Sequence, residues 1–455
     1  MSKLPLKEGR LLRAPENFLS SDFSAEVLKK GFDEERRSFL RRSFLAASAA
    51  VAAAGASGLH SNQAAAAEGE EAIMALPAHT KGLGQAVAAL GYGQPSQFEK
   101  NLQRRESPGL NRVSAASVSF CPLQGLFGII TPNGLHFERH HQGWWDIDPR
   151  QHRLMVMGLV KQAKVYTLDD LMRFPSISRI HFIECGANTG MEWGNAAVPT
   201  VQYTHGMLSC CEYTGVPLKL LLEDCGIDLK AARYVLAEGA DGASLTRTIN
   251  IENALDDVIV AWGMNGEMLR PENGYPLRLV VPGVQGVSWV KYLRRIEVGD
   301  QPWFTREEVL HYVDLMPDGR QRQFTSIQEC KSVITSPSGG QVLLGQGTFN
   351  ISGLAWSGRG KIRQVDVSVD GGNTWRNARL QTPILDKCLT RFNFDWVWDG
   401  KPAILQSRAI DSTGYVQPNY RQLRAVRGSR SIYHNNVIQS WQIAGNGEVF
   451  NVQVS

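Results

Sequence analysis

Seven cysteines stand in this chain of 455 residues, at positions 121, 185, 210, 211, 225, 330 and 388. No CxxC and no CxxCH occurs, so clustered-cysteine zinc sites, iron–sulfur clusters and covalent c-type haem lack their usual spacing. An odd number leaves at least one thiol unpaired in any intramolecular scheme. Cys185 closes a strand-like run at residues 178–184 and is followed by Gly186-Ala187-Asn188. A thiolate there can donate charge to a metal, and the plainer alternative is a buried, inert thiol. The vicinal Cys210-Cys211 reads either as a redox pair or, more simply, as core positions in a β–α turn. Basic residues stand beside aromatic ones at Phe137-Glu138-Arg139-His140-His141 and Trp289-Val290-Lys291, with a further arginine at Arg278. Taken singly, Arg278 and Lys291 would be strand-end surface charges, and Asp241 a turn residue in Glu238-Gly239-Ala240-Asp241-Gly242.

The elements that must position these residues change character along the chain. Residues 68–125 are rich in Gly, Ala and Gln and read as an extended arm. From Leu126 the pattern is mixed α and β. The run 178–184 is a strand leading straight into Cys185. Thr214-Gly215-Val216-Pro217 predicts a helix start, with Thr214 as N-cap and Pro217 in the first turn. Leu218, Leu221, Leu222 and Cys225 follow at helical spacing, and Gly226 supplies the stop. Leu277, Leu279 and Val281 alternate as a strand ending at Pro282-Gly283. After about Pro317 short alternating runs are separated by Gly, Asn and Asp turns. Val365, Val367 and Val369 lead into the hairpin turn Asp370-Gly371-Gly372-Asn373, and residues 392–397, 404–410 and 437–443 continue the rhythm of a β-sandwich.

Hydrophobic residues make up 43% and charged residues 20%, the balance of a folded protein rather than a disordered one. Residues 1–67 hold ten Lys/Arg against seven Asp/Glu. The remainder is nearly neutral, which leaves no electrostatic footprint for nucleic acid. Arg36-Arg37-Ser38-Phe39-Leu40 is repeated at once as Arg41-Arg42-Ser43-Phe44-Leu45, before an Ala-rich run and Ala64 to Ala67. This predicts a twin-arginine export leader cut near Ala67, because the run is too short and weakly apolar to span a membrane. Thirty-five residues precede the first pair, an unusually long n-region.

Five motifs in order then carry a resemblance. They are Phe137-Glu138-Arg139-His140-His141 with Arg153-Leu154-Met155-Val156-Met157-Gly158; Ile183-Glu184-Cys185-Gly186-Ala187-Asn188; residues 206–218; Gly274 to Gly283 with Trp289-Val290-Lys291; and Ser368 to Trp375. Over roughly residues 125–450 the chain resembles the sulfite oxidase family of molybdopterin enzymes. The resemblance implies an α+β fold: a mixed α/β molybdopterin domain at 126–317, followed by an immunoglobulin-like dimerisation domain at 318–455. It implies a molybdenum–molybdopterin cofactor with Cys185 as metal ligand, and no haem in this chain. Phe137, Glu138, Arg139, His140, His141, Asp241, Asn273, Arg278, Trp289, Val290 and Lys291 would hold the pterin. Asn273 stands where some relatives have His.

On the substrate side the resemblance assigns catalytic roles to Arg139, Tyr312 and Arg427, the last reaching in from the C-terminal domain. The family has a further arginine five residues after its cysteine, where this chain has Gly190, and a tryptophan where it has Tyr213. A pocket short of one arginine should bind free sulfite poorly. The combination resembles the family's sulfane dehydrogenase branch. That implies a periplasmic enzyme acting on sulfane sulfur held on a carrier-protein cysteine, a c-type cytochrome subunit as electron acceptor, and a homodimer within a hetero-oligomer. The alternatives are a sulfite dehydrogenase and a non-catalytic secreted binding protein of the same fold.

Overall fold

The computed structural model describes residues 9–13, 83, 92–107, 117–323, 327–428 and 433–454. The twin-arginine motifs, the Ala-rich run and the cleavage site lie outside the described residues, as does most of the predicted arm. The chain divides into two units, residues 19–100 and the rest. The larger unit holds every sheet among the described residues.

Two five-stranded sheets build the first half. One runs in the order Thr246–Asn250, Tyr234–Gly239, Leu293–Gly299, Leu154–Gly158, Lys164–Tyr166. The other runs Glu267–Met268, Ile259–Met264, Leu208–Pro217, Ile177–Glu184, with Arg278–Val280 also paired to Ile259–Met264. The second sheet is apolar on both faces: every residue of Ile259–Met264 is buried, and Tyr213 and Phe182 are fully enclosed. Burial on both faces, rather than alternation, is what makes such strands read as continuous apolar runs.

The predicted helix start is corrected here. Residues 214–217 complete the Leu208–Pro217 strand, and the helix is Leu218–Asp224 with Pro217 as its N-cap and no side-chain cap. Thr214 instead shares a hydrogen bond with Ser178 across the strand pair, at 2.7 Å. Pairing on both sides, to Ile177–Glu184 and to Ile259–Met264, outweighs the local preference for a cap. The same strand carries Cys210 and Cys211, so they are mid-strand core residues rather than turn residues. The stop at Gly226 (φ 68°) is as expected.

The second half is a β-sandwich, as the alternating runs predicted. A four-stranded sheet (Lys331–Ser336, Gly347–Trp356, Thr390–Trp398, Arg379–Leu380) faces a five-stranded one (Arg376–Asn377, Ile362–Ser368, Ala403–Asp411, Ser440–Ile443, Val449–Val452). Asp370 organises the predicted hairpin turn, accepting from Thr374 N–H at 2.9 Å and from Ser368 at 2.7 Å. The last predicted strand begins at Ser440 rather than 437. Trp441 is fully buried in the sandwich, and Trp356 turns toward the first half, where its Nε1 donates to Glu184. Gly283 (φ 76°) and Gly358 meet back to back where the two halves join: a Cβ on Gly283 would lie 2.4 Å from the Gly358 carbonyl oxygen.

Candidate active site

The Ile177–Glu184 strand pairs along its whole length with Leu208–Pro217 and delivers Cys185 to the wall of a crevice. Cys185 N–H donates to Met207 O (3.0 Å), and Asn188 N–H donates back to Cys185 O (2.9 Å), so the chain turns sharply and aims the thiol inward. Opposite, the Glu138–His140 strand hangs on Ser117–Phe120 with Arg139 across from Val118. Arg278 and Lys291 face each other through an isolated bridge. Segments more than 100 residues apart in sequence thus converge on one cavity. Phe137, Glu138, Arg139, His140, His141, Cys185, Asp241, Asn273, Arg278, Trp289, Lys291 and Tyr312 all line it.

Two of the predicted residues are placed elsewhere. Val290 is fully buried, and its backbone carbonyl accepts from Leu279 N–H at 2.9 Å. Arg427 lies behind the crevice rather than on its wall. It ends the Tyr420–Arg427 helix and pairs with Glu329 at 3.4 Å. Glu329 also takes His434 Nε2 at 2.8 Å, and His434 N–H donates to the Gly186 carbonyl. A nearby acidic partner claims this arginine, which the sequence alone did not reveal.

Three cations, Arg139, Arg278 and Lys291, and three acidic residues, Glu138, Asp241 and Glu272, line the crevice. Lys291 Nζ contacts His140 Nδ1 (2.8 Å), Glu272 O (3.2 Å) and Arg139 O (3.4 Å). Burial first, and then the Arg278 charge, pull its pKa down to about 7. Burial and neighbouring cations also hold His136 and His140 at about 3 and His141 at about 4, so these imidazoles are neutral at ordinary pH. Because Lys291 donates to His140 Nδ1, the other ring nitrogen carries the proton and donates to Glu138, 2.9 Å away. Arg278, only 4% exposed, donates to the carbonyls of Asn273 (3.1 Å) and Trp289 (3.5 Å). Its Nε, Asn273 Oδ1 and His136 Nε2 have no hydrogen-bond partner among the described residues.

Those orphaned polar atoms test the cofactor that the motifs imply. Buried donors and acceptors are normally paired. Here a guanidinium edge, an amide oxygen and an imidazole nitrogen are left over around one cavity that Arg139 and Lys291 also line. A pterin with a phosphate tail matches that demand in charge and in mixed donor–acceptor character. Cys185 fits the metal end. Burial raises its pKa, while the Ala187 N–H and the Arg139 charge oppose the shift, so a metal would have to displace its proton. Among the described residues no group of three or more His, Cys, Asp or Glu could hold a metal ion, so this thiolate would be one ligand beside those the cofactor brings.

Residues that the sequence reading missed surround the predicted ones. Tyr312 stacks on Tyr433 at 4.6 Å, and the Arg247 guanidinium lies 5.0 Å from the Tyr312 ring. Arg247 is 3% exposed, pairs with Glu308 at 3.7 Å, and keeps Nε and Nη1 without hydrogen bonds among the described residues. Its signal was an arginine at the same alternation as the buried Ile249. On the far side of Cys185, Glu184 accepts from Lys331 Nζ (2.8 Å), Asn188 (2.9 Å) and Trp356 Nε1 (2.8 Å). No spacing rule links residues 184 and 331.

Comparison with known proteins gives the same picture. Residues 141–306 match the oxidoreductase molybdopterin binding domain, and residues 322–441 match the Mo-co oxidoreductase dimerisation domain. The mitochondrial sulfite oxidase of Mus musculus is 32% identical over 319 residues, covering 64% of this chain and 58% of that protein. The NADH nitrate reductase of Solanum lycopersicum is 32% identical over 330 residues, covering 61% of this chain and 34% of that one. The chain thus spans little more than half, or a third, of the length of these relatives. The crystal structure of the sulfane dehydrogenase SoxCD from Paracoccus pantotrophus matches with a TM-score of 0.82 and 47% identity, over 84% of this chain and 99% of that one. With both domains matched in order and the crevice built from the motif residues, the chain belongs to the sulfite oxidase family of molybdopterin oxidoreductases.

Proposed function

We propose that this protein is a periplasmic sulfane dehydrogenase subunit, exported by the twin-arginine route, that oxidises sulfane sulfur on a carrier-protein cysteine and passes the electrons to a c-type cytochrome subunit. The observation that carries the proposal is the shared wall of Cys185, Arg139 and Tyr312 beside the orphaned pterin-type cradle. Residues 126–317 would form the cofactor domain and 318–455 the dimerisation domain.

Cys185 would ligate molybdenum, and Arg278, Lys291, Asn273, Asp241, Trp289 and the 137–141 segment would hold the pterin and its phosphate. When bound, the cofactor supplies a two-electron oxidation with oxygen transfer to sulfur. The chain's own residues do the rest. Arg139 places a fixed positive charge where the sulfur oxyanion gains negative charge. Burial holds the Tyr312 phenol well above its usual pKa, so it stays protonated and would be a hydrogen-bond donor to an oxygen of the substrate. Each two-electron cycle consumes one water and releases two protons, and three cycles take a terminal sulfane to the sulfonate level. In the proposed role Arg427 acts from behind Gly186, through Glu329 and His434.

Gly190 favours a protein-borne substrate over free sulfite. It opens the short helical turn Gly190–Trp193 and contributes no charge. Exposed apolar residues follow crevice and turn positions directly: Trp144 and Trp145 after Gly143, and Met191 after Gly190. Such a surface suits a docking partner better than a small anion does. Free sulfite remains the second reading, because Arg139 and Tyr312 are kept.

The test combines molybdenum analysis with turnover on free sulfite and on a persulfidated carrier protein, for the wild type and Cys185→Ser. Metal-loaded wild type should favour the carrier, and Cys185→Ser should lose turnover and the thiolate signature in molybdenum-edge absorption. Fast turnover of micromolar sulfite would assign the second reading instead. Exported protein free of molybdenum would leave a binding module.

A further inference from the structure

Residues that precede the twin arginines lie on the C-terminal sandwich. Arg10–Leu11 runs parallel to Val342–Leu343, with Arg10 opposite Val342 and Leu11 opposite Leu343. Val342 N–H donates to Gly9 O (2.5 Å), and Leu344 N–H donates to Leu11 O (2.9 Å). Leu11 is 6% exposed, whereas its neighbours Arg10 and Leu12 are exposed, the alternation of a strand with one face down. Leu11 and Leu12 also wall a groove together with Phe349 and Asn350 of the Gly347–Trp356 strand.

Two glycines permit this approach. Gly9 has φ 73°, and a Cβ there would come 2.9 Å from the Gly340 carbonyl oxygen. A Cβ on Gly347 would come 2.8 Å from Arg13 Cδ. Among the described residues, Val342–Leu343 has no other strand partner beyond a single bridge from Val342 to Glu448. Without residues 9–13, the Val342 and Leu344 N–H groups would lie open on an exposed strand edge, which is an invitation to pair.

We propose that Val342–Leu344 is a docking edge for the chain's own leader: Gly9–Arg13 adds as a strand to the folded sandwich in the precursor, and leader removal uncovers the edge. This rests on the leader reading given under Proposed function. The edge exists only once the sandwich is folded, because Leu343 is a core residue and the bridge from Val342 to Glu448 joins positions more than 100 residues apart. Docking therefore ties the leader to a completed C-terminal domain. It also accounts for the long n-region, in which the docking strand stands well ahead of Arg36.

Hydrogen exchange tests the docking directly, on the full-length chain and on protein recovered after processing. In the full-length chain the Val342 and Leu344 amides should exchange about tenfold or more slowly than in the processed protein. Full-length Leu11→Asp should lose that protection while the amides of Gly347–Trp356 stay protected, which separates undocking from unfolding. Equal exchange at Val342 and Leu344 in the full-length wild type and in Leu11→Asp would overturn the docking. N-terminal sequencing of exported protein checks the leader reading separately. Export with residues 9–13 retained would sink that reading and the release step, while slow amides would still support the docked strand.

Discussion

Cys185 separates two polar regions with opposite character. On its crevice side, Arg278 Nε, Asn273 Oδ1 and His136 Nε2 are buried without partners among the described residues. On its other side, Glu184 and Lys331, each about 3% exposed, satisfy each other within a set that includes Asn188, Thr189 and Trp356. The first region has been left incomplete where a ligand can complete it; the second joins the cofactor half to the sandwich and is already complete. A chain that buries charge in both ways uses one for binding and the other for holding its halves in register.

The comparison predicts unequal costs. Lys331→Met strands the Glu184 carboxylate in the core and should lower stability by about 3–5 kcal/mol, read by denaturant unfolding. Trp356→Phe removes one donor from the same carboxylate and should cost about 2 kcal/mol in the same assay. Arg278→Met should change the stability of cofactor-free protein by no more than about 1 kcal/mol, because burial disfavours this charge and no carboxylate among the described residues forms an ion pair with it. The same change should reduce pterin retention at least about tenfold, measured as pterin and molybdenum content after dialysis. If Arg278→Met destabilised the empty protein as much as Lys331→Met, the two regions would not differ in kind.

The mildest effect should come from pH. Lys291 in the free crevice is depressed to about 7, chiefly by burial. A bound phosphate would raise it again. The lysine's contribution to binding is then complete below about pH 7 and declines as pH rises toward the bound-state value. Pterin release should therefore quicken with alkaline pH in the wild type, and Lys291→Met should flatten that dependence. An unchanged profile in the variant would show that another group governs it.

Much of the fold was legible because local rules and tertiary demands agreed. The strand into Cys185, the stop at Gly226 and the Asp370 turn each rest on neighbours within a few residues. Thr214 was misread where the two disagreed: its cap-like surroundings were overruled by strands on both sides. Most of the crevice wall was legible through motif order. Arg247 was missed because its significance comes from Tyr312, 65 positions later, and the pairing of Arg427 with Glu329, 98 positions earlier, follows from no local pattern.

By itself, then, the sequence determined which residue types are present and in what order: one thiolate after a strand, a basic and imidazole-rich segment before it, and an arginine and a lysine after it. Composition and periodicity, which are local, also determined a mixed half followed by a β-sandwich. Only the tertiary structure decided that Arg278 would be buried and share one cavity with Lys291, that Glu184 would pair with Lys331, and that Leu11 would find the edge at Val342–Leu343. Burial and pairing across long separations depend on which surfaces meet, and chain spacing does not encode that directly.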